Sequence, residues 1–308
     1  MNLNYIVYPG NKTRFISDLL NSVKPYIKNN TSFIELFGGS GTMSLYMSSI
    51  VSQVIFNELD IQIYKIHYSF KNGTYKELEE VINEIWSYGK PGDIKEDYYK
   101  ARDELNKKYF NIDSIKSGFF NWAISTFAIN SMIRFGPNGF NQGWGNRGIL
   151  RSKPTDIKKL ENNNYLLDEF FEKDLKSLPT KMNEKKFNAI HNAYKNIQLF
   201  NEDYKKIKIE ENSIIFVDPP YIDKGSGTYS FNQEEHIKFI KFIKNIKNPT
   251  LYTDVFSSSK LNLLGKNWDF FILRDNIGTG KPGLNSKQIE KEALYFNFKI
   301  PKAKSLFR

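Results

Sequence analysis

Ser213-Ile214-Ile215-Phe216-Val217-Asp218-Pro219-Pro220-Tyr221 joins an apolar run to a carboxylate, two prolines and an aromatic ring. The run is β-branched and aromatic, which predicts a buried strand. The prolines lack the backbone donor that a ladder or helix needs, and they fix the chain as it leaves the strand. A rigid, extended tetrapeptide is thereby placed at the carboxyl end of a strand, where open α/β sheets bind their ligands. Standing alone, the same residues read more simply as a loop whose Asp caps a helix and whose prolines end a strand.

The residue types suit a planar base with an exocyclic amine. Such a nitrogen is a poor nucleophile, because its lone pair is delocalised into the ring. Asp218 and the carbonyl of Pro219 can each accept one amine hydrogen, favouring a more tetrahedral nitrogen whose lone pair points outward. Pro220 completes the turn, and Tyr221 can stack on the base face.

A second motif, Phe33-Ile34-Glu35-Leu36-Phe37-Gly38-Gly39-Ser40-Gly41-Thr42, changes the weight of the first. An apolar strand runs into a glycine-rich turn and then into Met43–Met47, which predicts a helix. A phosphate or dinucleotide site is the usual reading of such a turn. Here no Gly-Lys-Ser/Thr is present, and Glu35 stands where it would repel a phosphate. An acid there suits a ligand carrying an ammonium group. The next strand, Val54-Ile55-Phe56-Asn57, ends at Glu58, and an acid at such a strand end can accept ribose hydroxyls. Glu58 alone would equally be a solvated strand-end charge.

With these motifs in this order, the chain resembles the Dam-like, alpha-class N6-adenine DNA methyltransferases. The resemblance implies an α/β fold: a Rossmann-like S-adenosylmethionine-dependent methyltransferase sheet, with an inserted, mainly helical target-recognition domain containing a hairpin. Tyr8-Pro9-Gly10-Asn11-Lys12 is similar to the family's N-terminal motif; by that likeness Tyr8 packs on the cofactor, and Lys12 reaches its methionine part or the catalytic turn. Glu35, Phe37, Gly38, Gly39, Ser40 and Gly41 fall in the cofactor loop, and Glu58 takes the place of the ribose acid. Asp203-Tyr204 is similar to the family's Asp-Phe, so Asp203 would receive the cofactor's adenine amine. Asp218, Pro219, Pro220 and Tyr221 correspond to the catalytic motif, with Asp218 also at the edge of the cofactor site.

Asn130-Ser131-Met132-Ile133-Arg134-Phe135, Gly139-Phe140-Asn141 and Trp144-Gly145 resemble the family's target-recognition hairpin. The resemblance makes Asn130, Met132, Arg134, Asn138 and Asn141 candidates for DNA contact. Arg134 either reads a guanine edge through O6 and N7 or clamps a phosphate. Gly136 stands where Asn is usual, Gln142-Gly143 where Val-Pro or Thr-Pro is common, and Met132 where Leu is frequent. GATC is the first expectation for the recognised sequence.

The net charge of +10 among 308 residues suits a polyanionic partner, double-stranded DNA. Arg274, Lys281 and Lys287 lie in a glycine-containing stretch that reads as a hairpin straddling phosphates. A generally lysine-rich surface explains much of the same charge. Most of the 25 phenylalanines are expected in the core, Phe120 and Phe127 among them. No cysteine is present, which excludes disulfides and thiolate chemistry, and the three histidines are scattered, so no metal is expected. No apolar stretch is long enough to span a bilayer. The expectation is a cytoplasmic, DNA-associated protein of a bacterial or phage-infected cell, a monomer or a dimer on DNA.

The organisation reads as discontinuous: residues 1–69 and 197–308 form the catalytic sheet, and 70–196 form the insertion. Helical signals run over Ser114–Arg134 and Asn183–Lys195, with a glycine-rich hairpin around 135–149 and charged stretches around 157–188. Beyond 197, Glu234–Ile246 predicts a helix; Thr250–Tyr252, Phe270–Leu273 and Ala293–Phe298 predict strands. The reading that results is transfer of a methyl group to adenine N6 in duplex DNA, with the base flipped out of the stack. The alternatives are the same fold acting on cytosine N4, on RNA adenine or on a protein amine, or a DNA-binding protein without turnover. A fused nuclease would need a longer chain.

Overall fold

The structure is a computed structural model and describes residues 3–8, 12–89, 95–145, 182–221, 232–275 and 290–300. The chain divides into two compact units, residues 1–11 with 60–195, and residues 12–59 with 196–308.

In chain order the helices are α1 (Ile16–Val23), α2 (Thr42–Met47), α3 (Ile61–Asn72), α4 (Tyr75–Trp86), α5 (Lys95–Tyr109), α6 (Ile115–Phe127), α7 (Glu184–Tyr194), α8 (Gln233–Lys244) and α9 (Ser258–Leu264). The strands are β1 (Ser32–Glu35), β2 (Gln53–Asn57), β3 (Phe135–Gly136), β4 (Gly139–Phe140), β5 (Ile197–Phe200), β6 (Ser213–Val217), β7 (Thr250–Val255), β8 (Asp269–Arg274) and β9 (Glu292–Phe296).

The second unit is built on a seven-stranded sheet of order β5-β2-β1-β6-β7-β9-β8. Its first five strands are parallel neighbours, whereas β9 runs antiparallel to both β7 and β8. This mostly parallel sheet is the Rossmann-like methyltransferase sheet expected from the sequence. Every residue of β6 is buried, as a central parallel strand covered on both faces requires. One layer of the core joins Ile34, Ile215, Val217 and Tyr252 to Phe239, Ile240 and Ile243. The last three recur at helical spacing on α8, whose start is fixed by a reciprocal capping box between Asn232 and Glu235.

The strand order reverses between β1 and β6, which pair in register from Ser32–Ser213 to Glu35–Phe216. Their carboxyl ends therefore open side by side, and this topological switch point is where such sheets leave room for a ligand.

In the first unit, α6 packs against α3, α4 and α5. Its residues from Ser117 to Phe127 are all buried, so it is enclosed on every face and occupies the centre of the bundle. Phe120 and Phe127 are core residues, as expected. The helical signal read over 114–134 ends at Phe127. Ala128 is extended at φ −74°, ψ 162°, and Asn130 takes the left-handed φ of 54°. The apolar run continues beyond the turn of chain that stops the helix, which is why periodicity alone carried the expectation too far. The charged stretches around 157–188 fall mainly outside the described residues.

Candidate active site and recognition hairpin

At the end of β1 the chain turns through Leu36–Gly41 into α2. Gly41 precedes the helix at φ 67°, a left-handed conformation that costs a residue with a Cβ. A Cβ on Gly38 would lie 2.1 Å from the Phe56 ring, so the loop passes this close to β2 only without a side chain. Gly39 N–H donates to Glu58 Oε2 at 2.7 Å. Glu58 thus closes the glycine turn, and is 9% exposed. Asn57, which the sequence reading passed over, ties the strand ends together: its Nδ2 donates to the carbonyls of Leu36 at 3.1 Å and Glu202 at 2.9 Å.

Glu35 is buried beneath the loop. Its Oε2 accepts the backbone N–H of Ser44 at 3.0 Å and the Ser44 hydroxyl. Burial pushes its carboxyl up to about 8, only partly offset by the Ser44 bonds, with the nearby charges of Asp218 and Glu58 adding to the rise. Phe37 stacks obliquely against Tyr204, centroids 5.3 Å apart, and both rings meet Phe239. Tyr204 is therefore part of the core. Asp203 caps the short turn that follows it, accepting from Lys205 N at 2.9 Å.

The tetrapeptide leaves β6 as an extended segment. Asp218 Oδ1 accepts from Thr253 Oγ1 at 2.6 Å, and Oδ2 accepts from Lys12 Nζ at 2.5 Å. Lys12 is 3% exposed and also lies 3.1 Å from Glu292 Oε1. The same Glu292 oxygen accepts the Tyr221 hydroxyl at 2.6 Å. Of the two destinations read for Lys12, the catalytic turn is the one these bonds reach. Burial raises the Asp218 carboxyl above the usual range; Lys12 and Thr253 pull it back in part, and Glu292 pushes it further up. Burial likewise raises Tyr221, with Asp218 and Glu292 reinforcing it, so its hydroxyl stays a donor.

Behind this layer Asp254, whose role could not be read from the sequence, is the hub of a buried network. His236 Nε2 lies 2.8 Å and Lys260 Nζ 2.5 Å from its Oδ2, which also accepts the Tyr252 hydroxyl; Val255 N–H donates to Oδ1 at 2.6 Å. Four acids, Glu35, Glu58, Asp218 and Glu292, thus gather around this end of the sheet with Lys12 and Arg274 as the cations named by their contacts. Such a donor set suits a cationic ligand with hydroxyl groups far better than a phosphate. Tyr8 lies in the other unit and is half-buried.

In that unit β3 and β4 form a hairpin with a two-residue loop, Pro137-Asn138. Asn106 on α5 grips it, accepting from Phe140 N–H and donating to the Phe140 carbonyl, both at 2.9 Å. Nothing local marks Asn106 in the sequence. Asn130, Arg134, Asn138 and Asn141 are exposed and Met132 is half-buried, so the gripped hairpin presents a polar edge. Arg274 belongs to β8, 3.0 Å from Glu292 Oε2 and over the Phe15 ring at 5.2 Å. The contact with Glu292 is close but not aligned as a hydrogen bond. Lys281, Lys287 and residues 146–149 lie outside the described residues. Among the described residues there is no group of three His, Cys, Asp or Glu that would hold a metal, and no helix long and apolar enough to cross a membrane.

Compared with known proteins, the chain matches the family described as D12 class N6 adenine-specific DNA methyltransferase over residues 8–273. It is also similar to the type II methyltransferase M.MjaIII of Methanocaldococcus jannaschii, at 23% identity over an alignment of 253 residues, with 76% of each chain covered.

Proposed function

The chain belongs to the D12 class of N6 adenine-specific DNA methyltransferases, and we propose that its reaction centre is the Asp218–Tyr221 turn beside the Glu35–Gly41 loop. The enzyme methylates adenine N6 in DNA, and methyltransferases of this kind draw the methyl group from S-adenosylmethionine. The observation that carries the assignment of the site is the placement of both motifs at the adjacent carboxyl ends of β1 and β6.

When bound, the cofactor supplies an electrophilic methyl group on a sulfonium. Lys12, Glu35, Phe37, the backbone of Gly38–Gly41, Glu58, Asp203 and Tyr204 are the residues proposed to hold it. The Asp218 carboxylate and the Pro219 carbonyl orient the target amine, and Pro220 keeps the turn extended. Tyr221 stacks on the flipped base. The amine's lone pair would take the methyl carbon as the sulfur–methyl bond breaks with its electron pair left on sulfur, giving a neutral thioether, and the methylated nitrogen would shed one proton to solvent. Catalysis on this reading is positioning and electrostatics. Labelled methyl transfer to unmethylated DNA, with base-resolved mapping of the product, tests it: label at adenine N6 in one short sequence is expected. Label confined to RNA or protein would overturn the substrate assignment.

The state of Glu35 makes a further expectation. With its carboxyl raised to about 8, the ligand-free side chain is neutral at pH 7. A bound cation favours the ionised form, so binding releases a proton. Cofactor affinity should therefore rise with pH, by up to about tenfold per unit, and level off above about 8. Calorimetry in buffers of different ionisation enthalpy measures this, and Glu35→Gln should flatten the dependence. A dependence that survives in Glu35→Gln would assign the proton to another group.

The hairpin is proposed as the target-recognition element, reading a short GATC-like sequence in double-stranded DNA. Its support is the resemblance of residues 130–145 and the exposure of Arg134, Asn138 and Asn141. If Arg134 pairs bidentately with a guanine, Arg134→Ala should lose on the order of 1–3 kcal/mol of discrimination at one base. Mapped methylation sites would then broaden at that position. An unchanged site pattern with weaker DNA binding would make Arg134 a phosphate contact.

A further inference from the structure

We infer that Glu292 is a positioning residue for methyl transfer, holding Lys12 and Tyr221 in the arrangement that leaves Asp218 able to accept the target amine. The inference rests on the assignment of Asp218–Tyr221 as the reaction centre. It concerns a residue beyond the 8–273 stretch matched to the family.

Glu292 is the first residue of β9, the strand set antiparallel between β7 and β8, and is 2% exposed. Its register partners are Val255 on β7 and Arg274 on β8. A carboxylate so deeply buried is costly unless it is paired and hydrogen-bonded. Glu292 satisfies this on one oxygen with groups at the reaction centre and on the other with a cation of β8: Oε1 accepts the Tyr221 hydroxyl at 2.6 Å and lies 3.1 Å from Lys12 Nζ, and Oε2 faces Arg274 Nε at 3.0 Å.

Two consequences follow from that geometry. A tyrosine anchored at its hydroxyl cannot swing its ring away about the Cα–Cβ bond, so the place of the ring beside a stacked base is set from behind. Lys12 lies between two carboxylates, 2.5 Å from Asp218 and 3.1 Å from Glu292, and also approaches the Tyr221 ring at 6.0 Å. Without Glu292 the ammonium would fall wholly to Asp218 and compete with the amine for its lone pairs. The charged and titratable groups around Asp218 are Lys12, Glu292, Glu35 and Tyr221, with Arg274 beyond Glu292 and Asp254 near Tyr221. Glu292 pushes the Asp218 carboxyl up, so neutralising Glu292 lets it fall.

The test uses the full-length protein with Glu292→Gln, Tyr221→Phe and the double substitution. Single-turnover methyl transfer to DNA is measured across pH, with cofactor binding measured separately. Glu292→Gln should slow transfer by about tenfold to a hundredfold, the scale of a misplaced reacting group. Its cofactor dissociation constant should stay within about threefold of wild type. The acid limb of its pH–rate profile should move to lower pH, because amine acceptance requires ionised Asp218. The two substitutions should be less than multiplicative, since both cut the same contact. A transfer rate within about threefold of wild type would overturn the inference. So would a slow variant whose acid limb stays in place and whose loss tracks lost thermal stability. If Glu292→Gln fails to fold, Tyr221→Phe alone decides, and a wild-type rate there rejects the anchor. Activity remaining in Asp218→Ala would instead reject the reaction centre itself.

Discussion

Asp218→Ala should lose methyl transfer while keeping most of its affinity for S-adenosylmethionine, and it is the substitution expected to cost most in rate. The carboxylate is the only charged acceptor that the extended tetrapeptide supplies, and it is held in place by Thr253 on one oxygen and Lys12 on the other. An adenine amine meeting alanine there keeps its lone pair in the ring, and only the Pro219 carbonyl remains to draw out a hydrogen. Removing one preorganised partner of the reacting group typically costs on the order of 10²- to 10³-fold. The loss here should reach at least that, because Lys12 then turns wholly to Glu292 and its ammonium disfavours any approach of a developing positive nitrogen. Single-turnover transfer with cofactor binding by calorimetry separates the two effects. Comparable losses of rate and of cofactor affinity would mean that Asp218 serves the cofactor first and the amine only indirectly.

The pH dependence has a definite sign. Asp218 works as an acceptor only when ionised, and burial raises its carboxyl above the usual range. The rate is therefore lost as pH falls through a value higher than that of an exposed aspartate, and is fully present above it. This is the acid limb that Glu292 should displace.

What the sequence shows of this protein is what lies close together along the chain. The glycine turn and the Asp-Pro-Pro-Tyr turn are continuous segments in which each residue type has a local reason, so both could be read as strand-to-loop junctions. Parallel placement of those strands follows from the motif order. The position of β9 does not: nothing in Glu292–Phe296 says that the last strand inserts antiparallel between β7 and β8. Glu292 was invisible for that reason, since its partners lie at positions 12, 221 and 274 and are joined only by the sheet. Asn57 and Asn106 are of the same kind, being single amides that bind distant backbone. Arg274 is different again: it stood in a glycine-containing stretch with Lys281 and Lys287 and suggested a phosphate contact, and the fold adds neighbours the sequence did not show, a buried carboxylate and an aromatic ring. Asp203 and Tyr204 illustrate a third limit. The dipeptide could be placed, but the share of each residue between core and site could not, and Tyr204 proves to pack among Phe37, Phe239 and Phe242.

The largest loss of stability should come from Asp254→Ala, a change outside the catalytic turn. Asp254 is 1% exposed, and the residues that lean on it are buried too: His236 at 2% and Lys260 at 9%. Burial pushes its carboxyl up, but the hydrogen bond from His236, the charge and hydrogen bond of Lys260 and the Tyr252 hydroxyl outweigh that and hold it below its usual value. Taking away the carboxylate removes the charge partner of the Lys260 ammonium, which keeps its bond to the Val255 carbonyl, and leaves the His236 and Tyr252 donors without their shared acceptor. Breaking a buried pair from one side costs about 3–5 kcal/mol, which is a large fraction of the stability of a typical domain. Urea unfolding at neutral pH is the measurement. Because the folded carboxyl sits below its unfolded value, its contribution is complete above the unfolded value of 3.8 and disappears as pH drops through the folded one. The gap between wild type and variant should thus be constant near neutrality and close only in acid. The variant should also bear on catalysis, because successive residues of β7 face opposite sides of the sheet. Asp254 secures the strand on one side, and Thr253 holds Asp218 from the other. A variant that unfolds as late as wild type in urea would show that the strand needs no such anchor; one that unfolds early yet transfers methyl at the normal rate would show that Thr253 keeps its place without it.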